Sequence, residues 1–161
     1  MDRSLIFSDS HGSLMEIREA IKKHPEIKRV IHLGDYCKDA IIIQKEFPHL
    51  EVFMVSGNCD FFTGHAANEQ VIEIEGMKIL LTHGHNYYVK NGTEKLEYKL
   101  VNNGFDAVLF GHTHVPYLKY ISSRLILNPG SIAYPRGFSG STYAILEISN
   151  EGIDAKILEI G

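Results

Sequence analysis

Five short apolar runs in this chain end alike, each stopping at a small group of carboxylate, amide or imidazole side chains. Leu5-Ile6-Phe7 runs into Ser8-Asp9-Ser10-His11-Gly12, and Val30-Ile31-His32-Leu33 into Gly34-Asp35. Val52-Phe53-Met54-Val55 leads to Ser56-Gly57-Asn58-Cys59-Asp60, Lys78 to Leu81 leads to Thr82-His83-Gly84-His85, and Ala107-Val108-Leu109-Phe110 leads to Gly111-His112-Thr113-His114. Runs of this kind bounded by turn residues read as buried strands. Strands that are apolar along their whole length belong to parallel sheets covered on both faces. In such sheets ligands collect outside the carboxyl ends of the strands, so motifs far apart in the chain are expected to meet at one edge.

The intervening segments support this reading. Ser13 and Glu16 fit a capping box, with Leu14, Ile17 and Ile21 at helical spacing and His24-Pro25 as the stop. A second helix is expected from Asp39 through Ile43 to Phe47, ended by Pro48. Strand, helix, strand, helix, strand implies a parallel sheet joined by crossovers. Further on, Val71–Ile74 and Lys78–Leu81 flank Glu75-Gly76-Met77 as a hairpin, and Thr93–Asn103 reads as a third helix stopped by Gly104. From Tyr117 onward short strands are expected at 117–121, 125–127, 143–148 and 153–160. Turns fall at Asn128-Pro129-Gly130 and Pro135-Arg136-Gly137. The fold class predicted is α/β, two packed mixed β-sheets flanked by helices.

A length of 161 residues fits one domain, 1–161, with a substantial core. The 44% hydrophobic and 22% charged content is that of a soluble globular protein. No apolar run approaches the ~20 residues of a bilayer span. Met1-Asp2-Arg3-Ser4 leads directly into strand pattern without a signal peptide, which makes a cytoplasmic location the expectation. Cys37 and Cys59 read as reduced thiols rather than a disulfide framework. The net charge of −4 excludes broad nucleic-acid binding, which needs a basic face, but not a nucleotide-sized substrate.

The strand ends together offer Asp9, His11, Asp35, Asn58, His83, His112 and His114. Taken singly these motifs have ordinary explanations: a helix cap for Asp-x-His, a turn for Gly34-Asp35 or Gly57-Asn58. Paired histidines at a strand end have no comparable structural use, and five such ends in order are hard to explain without chemistry. Two carboxylates, an amide oxygen and four imidazoles suit divalent transition metals. Seven ligands exceed one ion's needs, whereas two ions sharing a carboxylate make a binuclear site with metals ~3.5–4 Å apart.

Asp9-Ser10-His11, Gly34-Asp35, Gly57-Asn58, His83 and Gly111-His112-Thr113-His114 resemble, in that order, the motif set of calcineurin-like metallophosphoesterases. Asn128-Pro129-Gly130-Ser131 and Pro135-Arg136 are similar to the tail of the small phosphodiesterase branch. The resemblance implies a four-layer αββα sandwich and a metal-dependent phosphodiesterase. It places Asp9, His11, Asp35 and His114 on the first metal and Asn58, His83 and His112 on the second, with Asp35 bridging. The two ions would be Mn, with Ni, Fe, Co or Zn as alternatives. They acidify a bound water, and the resulting hydroxide attacks phosphorus in line. Asn58, Asp35 and His112 then carry the catalytic roles, Asn58 also donating an N–H to a phosphate oxygen.

Many members of the wider family carry a histidine directly after the motif asparagine, where it protonates the leaving group; here Cys59 stands there. A thiol is a poor match for that task, so diesters with good leaving groups are the expected substrates. Asp60 is expected to orient a ligand histidine or to cap its turn. His85 falls near substrate, behind a ligand, or in a solvated loop. Phe61, Phe62, Tyr87 and Tyr88 line a cleft, a homo-oligomer interface or ordinary packing. The expected partner is a small phosphodiester or nucleotide-like substrate, with no membrane. The competing readings are a phosphoesterase-fold scaffold, as in the retromer subunit of this fold, and a phosphomonoesterase or protein phosphatase.

Overall fold

The structure, a computed structural model, describes residues 2–58, 60, 67–133 and 140–160. Cys59, Phe61, Phe62, Pro135, Arg136 and Gly137 lie outside the described residues. In chain order the elements are β1 (Asp2–Phe7), α1 (Leu14–Lys23), β2 (Arg29–His32), α2 (Lys38–Glu46), β3 (Glu51–Met54), β4 (Glu69–Ile74) and β5 (Met77–Thr82). Two short 3₁₀ turns follow at His85–Tyr87 and Val89–Asn91. The remainder is α3 (Glu94–Asn102), β6 (Ala107–Leu109), β7 (Tyr117–Ile121), β8 (Arg124–Asn128), β9 (Thr142–Ser149) and β10 (Gly152–Glu159).

The strands form two five-stranded mixed sheets, ordered β10-β9-β1-β2-β3 and β4-β5-β6-β8-β7. Three strands run parallel in each: β1, β2 and β3 in the first, β5, β6 and β8 in the second. The period of two along each strand sorts side chains between layers. Ile6, Ile31, Ile79, Leu81, Leu109, Leu127, Ala144 and Leu146 fill the space between the sheets. Their neighbours point outward: Leu5, Phe7 and Val30 meet Ile17, Ile21 and Ile43 of α1 and α2, while Leu80, Val108 and Ile126 meet Leu96 and Leu100 of α3. This is the predicted sandwich of helices outside two sheets. It also explains the uninterrupted apolar strands, since both of their faces are buried. No helix among the described residues is long and apolar enough to cross a membrane.

Most expected elements are present within one or two residues. The capping box is not: Ser13 precedes α1 but its side chain makes no capping hydrogen bond. The chain enters α1 through a tight turn, with Ser13 N–H donating to Ser10 O at 2.8 Å and Gly12 at φ +86°, so the hydroxyl is not aimed at the helix end. Helix α2 begins at Lys38, one residue before the expected start. Helix α3 ends as expected. Gly104 sits at φ +69° and Phe105 N–H reaches back to Leu100 O at 3.1 Å, closing the last turn.

Candidate metal centre

The parallel strands deliver their loops to one end of the sandwich. β1 supplies Asp9 and His11, β2 supplies Asp35, β3 supplies Asn58, β5 supplies His83, and β6 supplies His112 and His114. All seven predicted residues converge. Asp9, His11, Asp35 and His114 each offer one ligand atom, and these four atoms lie within 4.8 Å of one another. A second group adjoins them: His112 Nδ1 is 3.1 Å from Asn58 Oδ1 and 3.2 Å from His83 Nε2. Asp35 lies between the two, with Oδ2 3.7 Å from His11 Nε2 and Oδ1 3.5 Å from His83 Nε2.

Burial makes these contacts consequential. Asp9 and His83 are fully enclosed, and Asp35 and His114 nearly so. Asp9 Oδ2 accepts hydrogen bonds from the Ser8 hydroxyl at 2.5 Å and the His112 backbone N–H at 3.0 Å. Its Oδ1 is buried without a hydrogen-bond partner among the described residues and faces His114 Nε2 at 3.3 Å and His83 Nε2 at 3.7 Å. A buried carboxylate oxygen left in this state is costly unless a cation completes it. Oxygen and imidazole donors gathered around it fit a divalent transition metal. His83 Nδ1 lies 2.7 Å from Leu33 O, which assigns it the proton and leaves the Nε2 lone pair facing the group.

The protonation behaviour follows from the same packing. Burial raises the Asp9 carboxyl, but the adjoining His114 and His83 outweigh it and hold the pKa below the usual range. Burial likewise lowers His83, but Asp35 and Asp9 reverse this and raise its pKa overall. His112 is pushed down to about 4, first by burial and then by the nearby charges of His83 and Lys90. It is therefore neutral and able to donate a lone pair across the ordinary pH range.

Five of the converging residues have left-handed backbones: Asp9 at φ 55°, His11 at 46°, Asp35 at 58°, His112 at 74° and His114 at 61°. Each costs ~1–2 kcal/mol for a residue with a Cβ. Such strain gathers at functional sites, and here it turns the chain sharply enough at a strand end to point alternate side chains at one centre. The glycine of Gly57-Asn58 is needed for a different reason. A Cβ there would lie 2.6 Å from the Asp35 backbone nitrogen and 2.9 Å from the His83 ring, so only glycine lets these loops close up.

Several supporting residues had weak or no sequence signals. Asp60, expected to orient a histidine, instead binds four backbone N–H groups: Gly57 at 2.7 Å, Asp35 at 2.9 Å, Tyr36 at 2.6 Å and Cys37 at 2.8 Å. One carboxylate thus holds the turn that leads into α2 and ties the Asp35 loop to the Asn58 loop. The other alternative, capping its own turn, captures only the Gly57 bond. Asp39, Ser10 and His32 form a buried chain under the Asp9–Gly12 loop. Asp39 Oδ2 accepts from the Ser10 hydroxyl at 2.6 Å and Gly12 N–H at 2.8 Å, and Ser10 Oγ is 2.8 Å from His32 Nε2. Asn128 Nδ2 donates to Gly111 O at 3.2 Å and Thr113 Oγ1 at 3.0 Å, and Ser131 donates to Asp9 O at 2.9 Å. The Asn128-Pro129-Gly130-Ser131 stretch marks Asn128 and Ser131 in the sequence without revealing what they hold, and nothing local marks Asp39 or His32.

Asp60→Ala is expected to destabilise the fold by about 3 kcal/mol, since hydrogen bonds to a charged acceptor contribute ~1.5–3 kcal/mol each and are not additive. Urea unfolding of the metal-free protein measures this, and an unchanged midpoint would show that the clasp is dispensable.

Comparison with known proteins agrees with this geometry. The chain matches the calcineurin-like phosphoesterase superfamily domain over residues 3–151. It is 34% identical over 157 residues to the probable metallophosphoesterase YsnB of Bacillus subtilis, covering 96% of this chain and 89% of that one. It is 30% identical over 142 residues to the phosphodiesterase MJ0936 of Methanocaldococcus jannaschii, covering 78% of this chain and 81% of that one. The crystal structure of a predicted phosphoesterase from Streptococcus pneumoniae superposes with a TM-score of 0.83 at 29% identity, over 99% of this chain and 92% of that one. Zinc-complexed Vps29 from Entamoeba histolytica gives a TM-score of 0.76 at 22% identity, over 99% of both chains, a likeness of fold alone. The convergent donors and the match over residues 3–151 make this chain a member of the calcineurin-like phosphoesterase superfamily, a metal-dependent family.

Proposed function

We propose that residues 1–161 form one metallophosphoesterase domain that hydrolyses small phosphodiesters with two divalent metal ions. The observation that carries this is the placement of Asp35 where two adjoining donor groups meet, with one carboxylate oxygen toward His11 and the other toward His83. On this reading Asp9, His11, Asp35 and His114 hold one ion, and Asn58, His83 and His112 hold the second with Asp35 shared. Manganese is the first choice, and nickel, iron, cobalt and zinc suit the same donors. When bound, the ions supply Lewis acidity and acidify a water to near-neutral pKa.

The protein's own part is arrangement. Asp35 fixes the separation of the two donor groups. Leu33 O holds the His83 ring so that its lone pair faces inward. Asn58 turns Oδ1 toward His112, and its amide N–H groups donate to a phosphoryl oxygen. Diester preference is supported by the absence of a histidine at position 59 and by the phosphodiesterase name of the M. jannaschii relative. The scaffold reading draws on the Vps29-like fold. It is weakened by the fact that all seven positions hold competent donors and converge.

The test reconstitutes the protein with Mn, Ni, Co or Zn and compares bis(p-nitrophenyl) phosphate with p-nitrophenyl phosphate. Hydrolysis of the diester is expected to exceed that of the monoester. Hydrolysis of neither with any of the four metals would overturn the enzyme reading in favour of the scaffold.

A further inference from the structure

His85 follows the buried ligand candidate His83 by two residues and is not needed to complete either donor group. It is half-buried, with its ring centroid 5.5 Å from that of His83 and 6.1 Å from that of His112. Its Nδ1 is closed to solvent and has no hydrogen-bond partner among the described residues. A buried ring nitrogen in this state costs ~1–3 kcal/mol, so its persistence beside a reactive centre needs an explanation.

We propose that His85 touches substrate, its ring donating a hydrogen bond to a non-bridging oxygen of the bound phosphoryl group; this rests on the phosphodiesterase reading above. Three observations favour substrate over metal. Asp35, Asn58, His83 and His112 already give the second ion four protein ligands, and a catalytic ion must keep positions open. His83 has its other nitrogen anchored by Leu33 O, as ligating histidines commonly do, whereas His85 Nδ1 has no hydrogen-bond partner among the described residues. Asp9, Asp35, His83 and His114 form the buried floor of the centre, while His85 and His112 stand partly open at its rim, where an incoming phosphate arrives.

The experiment compares wild type, His85→Ala and His85→Gln, each loaded with Mn(II). It measures metal content, calorimetric binding of inorganic phosphate, and kcat and KM for bis(p-nitrophenyl) phosphate. His85→Ala is expected to keep the wild-type metal content, to bind phosphate about 10–100-fold more weakly, as loss of a hydrogen bond to a charged group implies, and to lose kcat/KM mainly through KM. His85→Gln, which retains an N–H donor, is expected to recover much of both. Loss of one metal equivalent in His85→Ala would overturn the proposal by making His85 a ligand, and unchanged phosphate affinity would overturn it by making the ring a bystander. Failure of the parent reading looks different: a wild type that turns over no diester but binds phosphate in a His85-dependent way refutes the hydrolase and retains the contact.

Discussion

Asp35→Ala is expected to strip metal from both halves of the site and to lower kcat/KM for a phosphodiester by about a thousandfold or more. The size follows from its place between the two donor groups. Removing a residue that merely supports a metal ligand costs ~10–100-fold, and a carboxylate facing both groups must cost more. Asp35 sends Oδ1 toward His83 and Oδ2 toward His11, at 3.5 and 3.7 Å, so its loss removes a donor from each group and the element that spaces them. The backbone N–H of residue 35 still reaches Asp60 Oδ2 at 2.9 Å, so the loop stays anchored and the loss reads out chemistry rather than folding. Metal content measured alongside activity decides the outcome. Two retained metal equivalents with less than a tenfold fall in kcat/KM would refute the shared role.

His112→Gly is expected to separate function from stability. The variant should lose the second metal and about 10²–10³-fold in kcat, comparable to removing a single preorganised transition-state donor, while the metal-free protein melts no lower than wild type. His112 sits at φ 74°, a conformation that costs a residue with a Cβ ~1–2 kcal/mol. Glycine relieves that strain but adds ~0.5–1 kcal/mol of unfolded-state entropy, leaving a balance near zero or slightly favourable. The structural contribution of residue 112, its backbone N–H to Asp9 Oδ2 at 3.0 Å, survives the substitution. Calorimetric melting without metal and diesterase assay with it test both halves. Unaltered diesterase activity would contradict the ligand assignment, and a melting point lowered by more than about 3 °C, near 1 kcal/mol for a chain of this size, would show that the imidazole is structural.

Read along the chain, the positions of the motifs told more than their composition. Because β1, β2, β5 and β6 are buried on both faces, and β3 at the sheet edge is half-buried on both, each appears as an apolar run, and the polar residue that ends the run marks the end of the strand. Asp9, His11, Asp35, Asn58, His83, His112 and His114 were therefore legible as one set. The supports were not. Asp60 acts on the backbone of residues 35 to 37, more than twenty positions away, and a backbone N–H leaves no trace in the residue that carries it. Asp39 and His32 look locally like a helix residue and a strand residue, and become a paired network only when the Ser10 loop folds over them. Ser13 shows the converse error, a valid local capping pattern overridden by the tight turn through Gly12.

The amino-acid sequence by itself determined the layer order, the family and the identity of the converging donors, because these depend on strand period and on which side chains can bind a divalent ion. Only the tertiary structure decided which oxygen of Asp35 faces which histidine, that five donors take up left-handed backbones, and that Asp9 Oδ1 and His85 Nδ1 are buried without a hydrogen-bond partner among the described residues. These features arise from distances between loops far apart in the chain, and such distances exist only once the two sheets have packed.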